Sequence, residues 1–282
     1  MATSRSRRTT MVPSARAKVV AYWASTAILV VECLVGGMMG ALQLPPFVGT
    51  AKHLGYPGYF MTILGVWYVS AGVVLLVPRL ARLKEWAYAG LIFNYTGAIA
   101  SHIWVADSAK ALVGPLIFIG LTGASWALRP HGRRGFRPNP LTIPGFTTGR
   151  VIASWITTVL VAAELGVGGV WDLLQTDQVR SAVEHLRYPA YLLTIMGAWK
   201  LAGAAALLVP GLVRIKEWAY AGAVITYGSA IASHLIVGTG SGALVAAMVL
   251  LALTVASWAL HPPPTKSDAD EVTPRAIPTD RR

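Results

Sequence analysis

The stretch KEWAYAG occupies residues 84–90, and it recurs letter for letter at residues 216–222. A shift of 132 residues extends this match without a gap, and 49 of the 110 paired positions between 19–128 and 151–260 are identical. The sequence therefore predicts a tandem duplication, with repeat 1 at 19–128 and repeat 2 at 151–260.

Each repeat contains four long apolar runs. The chain of 282 residues is 55% hydrophobic and only 13% charged, whereas soluble domains carry about a quarter charged residues. A run of about 20 apolar residues spans a bilayer as a helix. We predict an all-α membrane protein with eight transmembrane helices, arranged as two parallel four-helix-bundle repeats, and place the runs at 19–42, 57–77, 86–106, 109–128, 151–174, 189–209, 218–237 and 243–260.

Lysine and arginine are distributed unequally about these runs. If every run crosses the membrane, 19 of the 24 basic residues fall on one side and four on the other, while Lys200 lies inside a run. The positive-inside rule then places both termini in the cytoplasm, in the cytoplasmic (inner) membrane. The net charge of +12 thus reflects topology, and we predict membrane lipids rather than nucleic acid as partners. The remaining segments are a basic tail at 1–18, a linker at 129–150 and a polar tail at 261–282.

An ionisable side chain inside a membrane span costs about 2.5–3.5 kcal/mol on insertion scales, so Glu32, Glu164 and Lys200 are candidates for a function. Glu32 and Glu164 occupy equivalent positions, and Lys200 stands where repeat 1 has Tyr68. We expect Glu164 to pair with Lys200, either for proton transfer or to hold two helices together. This pair makes repeat 2 the predicted chemically competent half.

A stripe of two tyrosines and a histidine runs along the third span of each repeat. Seven-residue spacing places all three on one helix face. In one interpretation, the stripe lines the interior of the bundle and binds an aromatic or quinone-like ring. In the other, the first tyrosine belongs to an aromatic belt at the membrane interface. The stripes are Tyr88, Tyr95 and His102 in repeat 1, and Tyr220, Tyr227 and His234 in repeat 2.

His53 and His185 precede the Tyr-Pro pairs that open the second and sixth spans. Glu32, His53 and His102 all fall in the outer half of the membrane on this topology, and such a trio would suit zinc or iron. The sequence has no close ligand pair, so we predict no metal site. The single cysteine, Cys33, excludes an internal disulfide framework.

The Lys-Glu-Trp motifs sit at the starts of the third and seventh spans. Glu85 and Glu217 there suit the positive end of a helix dipole. Trp86 and Trp218 are typical of anchors at the membrane interface. We therefore interpret these motifs as structural.

Several of these motifs together resemble the DoxX-like family of small four-helix membrane proteins. They are HLxYPxYxxTIxGxW from residue 53, LLVP at 75–78, KEWAYAG at 84–90 and ASH at 100–102. The family pattern has Trp-Lys in the second span, which Trp199-Lys200 keeps and Trp67-Tyr68 does not. The resemblance implies a membrane component of an oxidoreductase system, a part of an oxidative-stress complex, or an assembly chaperone.

Three functions fit this pattern. The first is binding of a lipophilic, quinone-like molecule as part of a membrane oxidoreductase system. A soluble redox partner would then be required, because the chain has no haem, flavin, nucleotide or iron–sulfur motif. The second is a cofactor-independent isomerase, cyclase or epoxide hydrolase acting on a lipophilic metabolite, and the third is a non-enzymatic scaffold or assembly factor. The candidate proton-handling residues are Glu164, Lys200, His234, Glu32 and His102, and the candidate ring-binding residues are Tyr227, Tyr95, His185, His53, Trp199 and Trp67.

Overall fold

The computed structural model describes residues 15–130 and 148–260, so most of the predicted tails and linker lie outside the described residues. Within these ranges all regular secondary structure is helical, with one π-helical turn at Glu32–Gly36. The α-helices are α1 (Ala15–Val31), α2 (Gly37–Ala41), α3 (Phe47–His53), α4 (Gly58–Leu76), α5 (Ala81–Trp104), α6 (Ala109–Ala127), α7 (Thr148–Leu174), α8 (Asp177–His185), α9 (Tyr191–Leu208), α10 (Val213–Val237) and α11 (Ser241–Leu260).

The shift of 132 residues carries each helix of repeat 1 onto its counterpart in repeat 2. The first long helix is the exception, because α1, the π-helical turn and α2 together correspond to the uninterrupted α7. The α4 and α9 helices end just before Pro78 and Pro210. Proline lacks the backbone N–H that a helix interior needs, so it suits these ends.

In the part of the chain that the structure describes, seven helical segments are long and apolar enough to cross a membrane: Arg16–Ala41, Gly58–Leu76, Ala109–Ala127, Thr148–Leu174, Tyr191–Leu208, Val213–Val237 and Ser241–Leu260. The predicted span 86–106 lies in α5, which is not among them. Its 24 residues would extend about 36 Å at 1.5 Å per residue, so length is not the reason. The charged residues at the start of α5 have equivalents in α10, so they are not the reason either. The apolar stretch of α5 is instead interrupted by Asn94, where α10 has Thr226. Helix α5 packs against α4, α6, α9 and α10, so its polar side chains can contact other helices of the protein.

The helices pack in the same way within the two repeats. In repeat 1, α1 and α5 both pack against α4 and α6, and in repeat 2, α7 and α10 both pack against α9 and α11. The repeats meet along α5 and α10, flanked by contacts of α4 with α10 and of α5 with α9. The third long helix of each repeat is therefore central.

Two buried glutamates join the repeats at the end of the molecule where α5 and α10 begin, which we call the Glu–Trp end. Glu85 and Glu217 are 2% and 6% exposed. Each accepts one indole N–H from its own repeat and one from the other repeat. The N–H···O distances are 2.8 Å for Trp86 to Glu217, 3.1 Å for Trp218 to Glu85, 2.8 Å for Trp126 to Glu85 and 2.9 Å for Trp258 to Glu217.

This arrangement gives the Lys-Glu-Trp motif a structural role between the repeats. Trp86 and Trp218 donate to buried carboxylates across the repeats. Arg129 forms an ion pair with Glu85, and Arg82 reaches Glu217 across the repeats with an Nε–Oε1 distance of 3.6 Å. The motif therefore holds the two repeats together.

Tyrosines make a second reciprocal connection at the opposite end, which we call the α3–α8 end. The Tyr59 hydroxyl donates to the Leu186 carbonyl at 2.5 Å, and the Tyr191 hydroxyl donates to the Leu54 carbonyl at 2.7 Å. These pairs are equivalent under the 132-residue shift. The tyrosine rings also contact one another, with centroids 5.7 Å apart for Tyr59 and Tyr188 and 5.8 Å for Tyr56 and Tyr191.

Candidate ligand cavity between the repeats

An apolar cavity of about 810 Å³ lies between the two repeats. Its walls come mainly from α4, α5, α9 and α10, with part of the first long helix of repeat 1. This volume is within the range of small-molecule sites, about 300–1,000 Å³. Five predicted site residues line it: Glu32, Trp67, His102, Trp199 and Lys200. The other six lie outside its lining: Glu164, Tyr95, Tyr227, His53, His185 and His234.

The two tryptophans of the G-x-W motifs are held by contacts across the repeats. The Trp67 indole donates to the Ser229 hydroxyl at 3.0 Å. Trp199 packs edge-on against Phe93 with ring centroids 4.7 Å apart. Their indole rings therefore form fixed parts of the cavity wall.

Lys200 pairs with Asp172, not with Glu164 as the sequence led us to expect. The Nζ–Oδ2 distance is 2.7 Å, and the two side chains are only 15% and 3% exposed. A buried charge needs a partner, and Asp172 supplies it from α7. Repeat 1 has Gly40 and Tyr68 at the equivalent positions, so it lacks both members of this pair.

Glu164 is engaged within repeat 2. The Tyr227 hydroxyl donates to its carboxyl group. Gly168 leaves room for the neighbouring charges, because a Cβ there would lie 3.3 Å from Glu164 Oε1 and 3.6 Å from Lys200 Nζ. The Glu164 carboxyl is thus close to Lys200 without being its ion-pair partner.

Glu32 is the contrasting case in repeat 1. It begins the π-helical turn and lines the cavity, and no described residue donates a hydrogen bond or forms an ion pair to it. Its carboxyl lies over Gly36, where a Cβ would be 2.9 Å from Oε2. The Tyr68 hydroxyl accepts a hydrogen bond from Asn94 instead. The Glu32 carboxyl group therefore lines the cavity without a hydrogen-bond or ion-pair partner among the described residues.

The tyrosine stripes face the interior of each repeat. Tyr88 and Tyr220 are 0% and 1% exposed, and their hydroxyls pair with Ser125 and Ser257 at 2.8 and 2.9 Å. This placement rules out an interfacial belt for Tyr88. Tyr95 is equally buried at 4% and stacks on Phe118 with centroids 5.4 Å apart.

The histidines of repeat 1 converge on Asp107, which the sequence reasoning missed. His53 Nε2 lies 2.8 Å from Asp107 Oδ1, and His102 Nδ1 lies 2.7 Å from Oδ2. Hydrogen bonds from His102 and then His53 hold the pKa of this carboxyl below its usual value. Glu32 is not part of this cluster, so the expected trio of Glu32, His53 and His102 does not form.

Repeat 2 has no acidic residue at the corresponding place. There Thr239 replaces Asp107, and its hydroxyl lies 2.8 Å from His234 Nδ1. Across the described ranges, no three histidine, cysteine or acidic side chains are placed to hold a metal ion.

A family model described as the DoxX-like family matches the chain twice, over residues 24–125 and 156–257. The chain belongs to the DoxX-like family. The two matches fall within repeats 1 and 2, which confirms the tandem DoxX-like architecture. No curated protein and no solved structure matches the chain.

The two DoxX-like repeats contribute different polar groups to the shared cavity. Repeat 1 supplies the Glu32 carboxyl and His102, and repeat 2 supplies the Lys200 ammonium group. Both repeats therefore contribute polar groups, and the chemical competence of repeat 2 stays a prediction. One signal in the sequence pointed to Asp172: it and Lys200 replace Gly40 and Tyr68 together, and both are charged residues inside apolar runs.

Proposed function

We propose that this DoxX-like protein binds a lipophilic, quinone-like molecule in the cavity between its repeats, as part of a membrane oxidoreductase system. The observation that carries the proposal is the cavity itself. It is apolar, has room for a substituted ring, and exposes Glu32 and Lys200 beside Trp67 and Trp199. Apolar walls with a few polar groups are typical of small-molecule sites.

The polar groups fit the needs of a quinone. Its two carbonyl oxygens accept hydrogen bonds, and its reduction takes up two electrons and two protons. Lys200 is a cationic donor. In its protonated form, the Glu32 carboxyl group also donates a hydrogen bond. His102 lines the same cavity and contacts Asp107 at the α3–α8 end, so it connects the cavity to that surface. The electrons come from a redox partner.

We further propose the membrane arrangement in which this site works. Two four-helix bundles lie side by side in parallel, and α5 is the eighth span, shielded by its neighbours. The Glu–Trp end faces the cytoplasm with both termini, and the α3–α8 end faces outward, in the inner membrane. The unequal distribution of basic residues supports this orientation.

Tryptophan fluorescence tests ligand binding directly, because Trp67 and Trp199 line the cavity. Decylubiquinone added to the full-length protein in detergent should quench part of the fluorescence in a saturable manner. The double variant W67F W199F should lose that component. Trp155, which is 54% exposed on α7, provides the control W155F, which should retain it. Equal saturable quenching in the double variant and the wild type would reject the cavity as the site.

The polar groups are tested with the same titration. Losing a hydrogen bond costs about 0.5–1.5 kcal/mol for a neutral donor and about 1.5–3 kcal/mol for a charged one. E32L should therefore weaken binding several-fold, and the double variant D172G K200Y should weaken it about ten-fold or more. The double variant reproduces the residues of repeat 1 and leaves no unpaired charge. Unchanged affinity in both would remove Glu32 and Lys200 from the site.

A second candidate function rests on the free carboxyl of Glu32. A cofactor-independent isomerase, cyclase or epoxide hydrolase would use such a carboxyl as general acid or base. Mass spectrometry of lipophiles that copurify with the protein separates the two functions. A quinone favours the first, and a specific non-quinone metabolite, turned over without an electron donor and lost in E32Q, favours the second.

A further inference from the structure

A second pocket, of about 630 Å³, opens at the α3–α8 end. Repeat 1 contributes Lys52 and the loop from Gly55 to Tyr59, and repeat 2 contributes Arg187 and the last residues of α10, Ile236 and Val237. Lys52 and Arg187 are both exposed. We infer that this pocket binds the phosphate group of an anionic phospholipid headgroup. The inference does not depend on the quinone site.

The charges around the pocket leave its two cations available. Among the described residues neither Lys52 nor Arg187 forms an ion pair. The nearby acidic groups are already paired: Asp107 with His53 and His102, and Glu184 with Arg180. Arginine presents a planar fork of donors that matches phosphate oxygens, and lysine adds a point charge. Two unpaired cations from different repeats therefore converge on one pocket.

Backbone conformation gives independent support. Arg187 has a φ of +60°, a left-handed conformation that favours glycine. The equivalent residue in repeat 1 is Gly55, with a φ of +80°. Glycine is thus the residue that fits this turn with the least strain, and the fold does not require an arginine at position 187. Strained positions of this kind are common at functional sites.

The place that is equivalent to this pocket under the 132-residue shift has different residues. There Glu184 replaces Lys52 and Gly55 replaces Arg187. Trp104 replaces Ile236, and its ring stacks on Tyr191 with centroids 5.7 Å apart. The counterpart therefore has a carboxyl group in place of the Lys52 ammonium group and Arg187 at the position of Gly55. It also carries a bulky ring where the pocket has an aliphatic side chain. Only one of the two equivalent places is built for an anion.

The pocket also has apolar residues in its lining, which a free ion would not need. Its aliphatic residues Ile236 and Val237 lie at the end of a membrane-crossing helix, beside Pro57 and two tyrosines, Tyr56 and Tyr59. A phosphate between Lys52 and Arg187 would have its glycerol and acyl chains next to these apolar groups. This arrangement favours a phospholipid over a soluble anion.

Native mass spectrometry of the full-length protein released from detergent tests the inference. Palmitoyl-oleoyl phosphatidylglycerol is titrated against palmitoyl-oleoyl phosphatidylcholine, and a separate arm adds inorganic phosphate. We expect one phosphatidylglycerol to bind in preference to phosphatidylcholine. R187G and K52Q should each weaken that binding about ten-fold, because each removes a charge-assisted contact.

A control separates a pocket from general attraction to anions. K110Q removes the same charge at the same end, outside the pocket lining, leaves the Arg180–Glu184 pair intact, and should leave binding unchanged. R187G also relieves the left-handed conformation, so loss of binding with undiminished thermal stability excludes misfolding. Equal lipid binding in R187G, K110Q and wild type would overturn the inference. Phosphate that displaces the lipid at micromolar concentration would show that the site is for a free anion instead.

Discussion

At the scale of single residues, the two repeats differ most where Asp172 and Lys200 replace Gly40 and Tyr68. Removing one partner of a buried ion pair costs about 3–5 kcal/mol, because the other charge is left unpaired. We expect D172N and K200M each to lower stability by about that amount in detergent thermal unfolding. The double variant D172G K200Y should lose less than either single variant. The exposed pair Arg180–Glu184 is the control, and R180Q should cost at most about 1 kcal/mol.

The histidine–aspartate cluster predicts a pH dependence at the same scale. The pKa of Asp107 is lowered by hydrogen bonds from His102 and His53, so ionised Asp107 stabilises the folded state. That contribution is present above the usual pKa of aspartate, about 3.9, and is lost as pH falls below it. Hydrogen exchange of α3 should therefore be faster in D107N than in wild type at pH 6, and the difference should vanish near pH 3. Helix α8 is the internal control, and a change there at pH 6 would contradict a local effect.

At the scale of helices, close approach of backbones fixes how the second span of each repeat packs on the first. At Gly65 on α4, a Cβ would lie 2.3 Å from the backbone nitrogen of Ala41 and 2.4 Å from the Gly37 carbonyl oxygen. Small residues permit such contacts in membranes. We expect G65A to force α4 away from α2 and to destabilise the protein by about 1–3 kcal/mol. Gly114 has no atom within 4 Å of its would-be Cβ, so equal loss of stability in G114A would contradict this.

At the scale of the whole molecule, contacts across the repeats form at both ends. Two indole–carboxylate hydrogen bonds and the Arg82–Glu217 pair cross the repeats at the Glu–Trp end. Two tyrosine–carbonyl bonds lie at the other end. We expect residues 1–140 and 141–282, coexpressed as separate chains, to copurify. The variant W86F W218F should reduce recovery of the complex. Independent purification of the two halves would show that the linker alone holds them.

The duplication, the helices and about half of the cavity-lining site residues were predictable from the sequence. They depend on internal repetition and on the spacing of apolar residues. Identity over 49 of 110 positions predicts equivalent helices, and an ionisable residue in an apolar run predicts a functional or paired group. The partners were not predictable, because spacing along one helix does not show which face meets another helix. Asp172 and Asp107 each lack an acidic counterpart in the other repeat, so the identities between the repeats did not mark them, although the joint change at positions 172 and 200 was a signal for Asp172.

The pairing of Asp172 with Lys200 in one repeat only has a further consequence. Two identical copies of one repeat would enclose a cavity with equivalent halves, and a bound ring would have two equally favourable orientations. Here a carboxyl approaches from one half and an ammonium group from the other. Divergence after gene duplication has therefore given the cavity a direction, and a ligand bound there would meet a carboxyl group on one side and an ammonium group on the other.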